Sequence, residues 1–403
     1  MKNLMQRAVF ILLVFMGLAL AQSKSWIATP TPALNQALSA LPQGAYNPLN
    51  WATLDELERL ELLAIQTQMF DPPRAARALA LLSVALNDTL VVLGSRPGAD
   101  ANVAAAYATQ EVMLYLHPTF ANFKDAVRET VAAIYNGAAK AGAPRASLDI
   151  LRATGQQIGQ QITAFARKDG ANFQVIPQYP KVVPGVWALT LGYTAVEPGW
   201  GNVVPIGIAP QDLAQAVAPP PWNSAKYDQE RTAFWQEQQK LDDHGRAIAD
   251  KWAGDPGTVT PAGLWQEATV QMLKDQGRSA EQAVTILAPL NIAIHDSLIA
   301  CWKTKFIYYT SRPNQWVGTF NKTWQPYLRT PKFPAYPSGH ATLSGAAATV
   351  LSAFLPDQAQ TFEAMAKEAS YSRIIAGIHW FVDGAGGLDL GERVGKQVLE
   401  QLK

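Results

Sequence analysis

PSGHATLSGAAATVL, Pro337 to Leu351, combines a helix start with the densest chemistry in the chain. Pro337 and Ser338 are helix-start residues, and the Ala-rich run behind them keeps the helix going. The first turn of a helix leaves N–H groups unpaired, so a start that holds Ser and Gly is a ready anion cradle. There Ser338 can donate its hydroxyl, Gly339 lets its backbone N–H approach closely, and His340 stands on the first turn beside the anion. Taken alone, the same string is equally a capped helix with an exposed histidine.

Two further strings flank it. Upstream is Lys305 with Arg312-Pro313 (K-x6-R-P), and downstream is Ser372-Arg373 with His379 and Asp383 (S-R-x5-H-x3-D). Arg offers a planar fork to oxyanion edges and Lys a mobile point charge. If 372–383 is helical, His379 and Asp383 share a face and the carboxylate orients the imidazole. Gly384, Gly386 and Gly387 then predict that this helix ends soon after, and Pro313 that the helix bearing Lys305 ends just after Arg312. Each flanking string has a plain alternative as an ordinary surface ion pair or helix end. Together the three supply three cations, two histidines, a hydroxyl and a glycine N–H, an inventory suited to a tetrahedral or trigonal-bipyramidal oxyanion.

Away from these strings the pattern is helical almost throughout. Apolar spacing predicts helices over 54–68, 74–93, 101–117, 123–141 and 147–166, then 226–252 and 261–275, and finally 280–302, 341–355, 358–378 and 386–402. Residues 171–222 are rich in Pro and Gly and read as an irregular connector, with Trp187 and Trp200 packed on the helices. The fold class expected is all-α: two related helical bundles joined by that Pro/Gly-rich connector. The boundaries are 22–170 for the first bundle, 171–279 for the connector with additional helices, and 280–403 for the second bundle.

A weak internal repeat supports two bundles. SVALNDTLVV (83–92) matches NIAIHDSLIA (291–300), TQEVMLYLHP (109–118) matches AATVLSAFLP (347–356), and GQQIGQQI (155–162) matches GERVGKQV (391–398), in the same order. Chance similarity between Ala-rich helices is the alternative. At these offsets Lys305, Arg312, His340, Arg373 and His379 fall opposite Pro97, Ala104, Asn102, Gly137 and Ala143. The first copy has none of the candidate groups, so it reads as scaffold, with one site per chain. Asp296 falls opposite Asp88 and reads as a repeated structural residue, although His295-Asp296 could also face the site.

Composition narrows the class. Of 403 residues 48% are apolar and 16% charged, which fits a large buried core. Residues 1–21 have the form of a secretory signal: Lys2 and Arg7, an apolar run, and an Ala19-Leu20-Ala21 cleavage site. The expected location is therefore exported, periplasmic or extracellular. Removing that segment takes away two cations and no carboxylate and leaves a net charge of −1. With no basic field, nucleic acid is not an expected partner, and no membrane span is expected in the mature chain. Cys301, the only cysteine, sits in an apolar run and reads as a buried, inert thiol. His117 and His244 lack neighbours at zinc or calcium spacings.

Taken jointly, K-x6-R-P, PSGH and S-R-x5-H-x3-D resemble the superfamily of vanadium-dependent haloperoxidases and type 2 phosphatidic acid phosphatases. The motifs cover about residues 280–403. The two-bundle pattern with PGVW (184–187) and WGNVVP (200–205) resembles secreted bacterial vanadium haloperoxidase-like proteins over most of the mature chain. The resemblance implies vanadate as cofactor, with phosphate able to occupy the same place, because the two share shape and charge. It implies that His379 ligates vanadium, or attacks phosphorus in a phosphatase relative, with Asp383 as its orienting partner. His340 would be the general acid/base. Lys305, Arg312 and Arg373 would neutralise oxyanion oxygens, with Ser338 and Gly339 donating hydrogen bonds. Hydrogen peroxide and a halide would be the partners, with Lys305 as polariser and Trp302 and Phe333 as a halide pocket. As ordinary core aromatics those two would carry no such meaning. The runner-up is a soluble exported acid phosphatase acting on a phosphomonoester, and a non-catalytic oxyanion-binding protein comes third. A homodimer is compatible with the pattern but not required by it.

Overall fold

The computed structural model describes residues 24–189 and 193–403, so the expected leader at 1–21 lies outside the described residues. Among them are fourteen α-helices, two short 3-10 turns and three isolated β-bridges, with no strand. The first group of helices is α1 (Pro32–Ser39), α2 (Trp51–Thr67), α3 (Pro72–Leu93), α4 (Ala101–Leu116), α5 (Ala121–Lys140) and α6 (Arg145–Ala166). After the irregular stretch come α7 (Ala225–Gln238), α8 (Asp243–Lys251) and α9 (Thr260–Asp275). The last group is α10 (Ala280–Tyr308), α11 (Pro313–Val317), α12 (Gly339–Phe354), α13 (Ala359–Ile375) and α14 (Phe381–Glu400).

The starts follow capping chemistry. Asn50, Asp71, Ser279 and Ser338 each accept a backbone N–H from the first turn of α2, α3, α10 and α12. Two helices, α3 and α10, are long and apolar enough to cross a bilayer, yet 89% and 94% of their most apolar windows are buried inside the protein. They pack on each other and form the spine between the two groups.

The repeat has a physical counterpart. Asp88 on α3 accepts the backbone N–H groups of Trp26, Ile27 and Ala28. Asp296 on α10 accepts those of Ile206 and Gly207. Each buried carboxylate thus clamps an irregular segment onto its helix. Gly155 and Gly159 bring α6 against the carbonyls of Ala104 and Ala108 on α4. Gly391 and Gly395 bring α14 against those of Thr342 and Ala346 on α12. A Cβ at Gly155, Gly159 or Gly391 would collide with backbone, and one at Gly395 would press on the Thr349 side chain.

Four details differ from the sequence reading. The expected helix 226–252 is broken, because the chain turns at 239–242 and Asp242 caps a new helix. Helix α10 stops at Tyr308, with Tyr309 at φ 48, and Pro313 opens α11 instead of ending a helix. Residues 372–383 are not one helix: α13 ends at Ile375, Gly377 turns at φ +82, and α14 starts at Phe381. Gly384, Gly386 and Gly387 lie inside α14, where they let it approach Ser370, Tyr336 and the start of α12.

Candidate oxyanion site

His379 sits in the turn before α14, and Asp383 reaches back to it from the first turn. Their Nδ1···Oδ2 separation is 2.8 Å, and the same oxygen accepts the Trp380 N–H at 3.0 Å. Both residues are buried. The carboxylate fixes the Nδ1–H tautomer and leaves Nε2 with its lone pair. Arg312 Nη1 lies 2.9 Å from Nε2 and donates to Ile378 O at 2.7 Å, while Nε donates to Phe333 O at 3.0 Å. Its Nη2 is buried without a protein partner. Such an orphaned guanidinium N–H beside an unprotonated imidazole is what an oxyanion ligand would satisfy.

Helix α12 brings the second half of the site. Ser338 caps it, accepting the Ala341 N–H, and the Ser338 N–H donates to Asp383 O at 2.9 Å, which ties the start of α12 to that of α14. Gly339 opens the helix directly under Trp302, where an added Cβ would lie 3.4 Å from the indole. His340 Nε2 is 2.8 Å from the Trp252 carbonyl, so this nitrogen is the protonated one and Nδ1 is the base. Arg373, at the end of α13, donates to Ser372 Oγ at 2.9 Å and to Ala249 O at 2.6 Å. The carbonyls that orient His340 and Arg373 both come from the C-terminal end of α8, where helix carbonyls lack intrahelical partners.

Lys305 is placed differently from the other cations. Its ammonium donates to the carbonyls of Pro334, Ala335 and Pro337 at 2.9, 2.9 and 2.5 Å, which engages all three N–H groups. It holds the segment leading into Ser338 and acts on the site through its charge. The Phe333 ring lies between cations, with Lys305 Nζ 5.0 Å and Arg312 Cζ 4.9 Å from its centroid. Trp302 packs on Phe333 at 4.9 Å between centroids.

Burial dominates the electrostatics. It lowers Arg312 and Arg373 to about 9 and pulls Lys305 down. His379 lies well below its ordinary value through burial and the nearby cations, above all Arg312, and His340 through burial and Arg373. Burial raises the Asp383 carboxyl, against the Trp380 N–H and the charges of Lys305 and Arg312. Both imidazoles are therefore neutral at pH 7, able to ligate or accept a proton.

A cavity of about 350 Å³ opens in front of the group, lined by Trp302, Phe333, Gly339, His340, Arg373 and His379. Lys305, Arg312, Ser338 and Asp383 stand behind this lining. The sequence reading missed three contributors. Met69 and Asp71, at the start of α3, also line the cavity, so the first bundle is a wall of the site as well as scaffold. Asp255 lines it from the loop after α8. Nothing local distinguishes Met69 or Asp255, and Asp71 is legible only as a helix cap. His295 does not line the cavity, and Asp296 is occupied by its clamp. Among the described residues no cluster of acidic, His or Cys groups could hold a metal ion, whereas an oxyanion needs cations and donors.

Three comparisons bear on this arrangement. Residues 285–360 match the family model of the VCPO second helical-bundle domain. A bacterial vanadium-dependent iodoperoxidase superposes with a TM-score of 0.75 at 22% identity, covering 89% of this chain and 98% of that one. A bacterial vanadium-dependent chloroperoxidase superposes in its apo form with a TM-score of 0.60 at 14% identity, covering 91% and 97%. Its holo form gives 0.59 at 14% identity, also covering 91% and 97%. No curated protein matches the chain.

Proposed function

We propose, for a chain with the vanadium haloperoxidase-like fold and a VCPO second helical-bundle domain, that it catalyses vanadate-dependent oxidation of a halide by hydrogen peroxide. The observation that carries the reading is His379, locked through Nδ1 on Asp383, with Nε2 beside Arg312 Nη1 and the other terminal nitrogen of that guanidinium, Nη2, buried without a partner. The donor set fits vanadate. His379 Nε2 would ligate it, Arg312 Nη2 and Arg373 would hold its oxygens, and Ser338 with the start of α12 would add hydrogen bonds. When bound, vanadate would supply a Lewis-acid centre that keeps its oxidation state while peroxide takes two electrons from the halide.

The chain's own groups do the rest. His340, fixed as the Nε2–H tautomer, takes and returns the peroxide proton at Nδ1. Its lowered basicity keeps it neutral and ready to accept. Lys305 adds positive charge without being drawn into the cavity, since three carbonyls hold it. Trp302 and Phe333 form an apolar wall on which a halide is poorly hydrated and reactive. The N-terminal 21 residues support export, which would put the activity in the periplasm or outside the cell.

Phosphomonoester hydrolysis through a His379 phosphohistidine is the second reading. It is favoured by the same observation, because the cations and the unprotonated imidazole nitrogen suit phosphate as well as vanadate. Purified protein incubated with vanadate, hydrogen peroxide and bromide or iodide should halogenate a diketone dye. Hydrolysis of an aryl phosphate without any halogenation would replace the first reading by the second.

A further inference from the structure

The cavity is larger than an oxyanion, a peroxide and a halide ask for. Its volume of about 350 Å³ lies within the roughly 300–1,000 Å³ of sites that hold small organic molecules. Beyond the oxyanion end one side of the cavity is apolar and stiff, while Arg329, Thr330 and Lys332 line it elsewhere. Pro72, Pro261 and Pro331 have fixed φ, Leu328 and Leu343 add aliphatic surface, and Met69 a soft thioether. Met69 is 62% exposed and therefore stands at the rim, with φ 53. That apolar side offers no hydrogen bond to peroxide or to an oxyanion. The carboxyls on the wall do not ask for a charged body either. Asp71 lies 4.0 Å from Arg74, and burial raises the Asp255 carboxyl, against the charges of Arg373 and Arg329.

We propose that the cavity seats an apolar aromatic molecule, its ring on the Pro72–Pro261–Leu343 wall under Met69 and its polar or reactive end at His379 and Arg373. The inference rests on the oxyanion reading of the site. It makes the first bundle, through Met69 and Pro72, a determinant of which organic molecule is accepted.

Two probes share a head group and differ only in the body: methylphosphonate and benzylphosphonate, titrated calorimetrically into the purified chain. The expected result is that benzylphosphonate binds about tenfold or more tightly, the effect of burying one phenyl ring. Met69→Asn keeps a residue type that tolerates positive φ and removes the thioether. It should reduce the preference by about threefold and leave methylphosphonate unchanged. Equal affinity for the two probes overturns the inference and leaves the oxyanion reading standing. A full preference retained in Met69→Asn overturns the assigned wall. No binding of either probe removes the oxyanion reading and the inference with it.

Discussion

Replacing His295 by leucine should make the protein less sensitive to acid, by an amount the structure sets. His295 lies on α10, 1% exposed, with neither ring nitrogen partnered, against the edge of Trp200. Burial and the nearby charge of Arg77 lower it to about 3. The native state therefore leaves it neutral throughout the usual range, while the unfolded chain protonates it near pH 6.5. A group depressed in the folded state gives stability above its unfolded pKa that is lost as pH falls towards the folded one. At pH 8 the penalty is close to zero. At pH 5 the unfolded chain gains about 2 kcal/mol from taking up that proton. His295→Leu conserves volume and removes this linkage, along with two unsatisfied nitrogens. The assay is urea unfolding of both proteins at pH 8 and pH 5. The stability gap, variant minus parent, should grow by about 2 kcal/mol between the two. A gap that is the same at both values would show that His295 is protonated, or partnered, in the native state.

Three further outcomes follow from named contacts. Asp383→Asn removes the charge that orients His379 and should weaken orthovanadate binding about 10- to 100-fold with helix content unchanged by circular dichroism. Lys305→Met leaves three carbonyls without their donor and should lower the urea midpoint, its stability loss exceeding its change in vanadate affinity. Gly391→Ala would press a methyl into the Thr342 carbonyl and should cost about 1–3 kcal/mol in urea unfolding, with a similar loss for Gly155→Ala at the equivalent contact in the first bundle.

Much of the fold was legible because it rests on local signals. Helical apolar spacing and caps placed α3, α4 and the start of α10, whose end runs past the expected 302 to Tyr308, and the match of Asp88 with Asp296 anticipated a repeated structural residue. The errors came where one residue type serves two ends. Glycine reads as a helix terminator, yet in α14 it is the small face that lets two helices approach. Pro313 reads as a stop and is a start. The residues that the structure gathers into the candidate site were legible because their types are rare and their order is fixed. The role of Lys305 was not, since only tertiary structure shows that three carbonyls surround it. Met69 and Asp255 carry no local signal at all. They belong to the site only because the first bundle and the loop after α8 fold over it.

The central claim is that one oxyanion site per chain is built around His379. Its most direct test is calorimetric titration of orthovanadate into the purified parent chain and into His379→Ala. The account predicts one equivalent bound by the parent and an affinity at least tenfold weaker in the variant. Equal affinity and stoichiometry in the two proteins, or two equivalents in the parent, would contradict it.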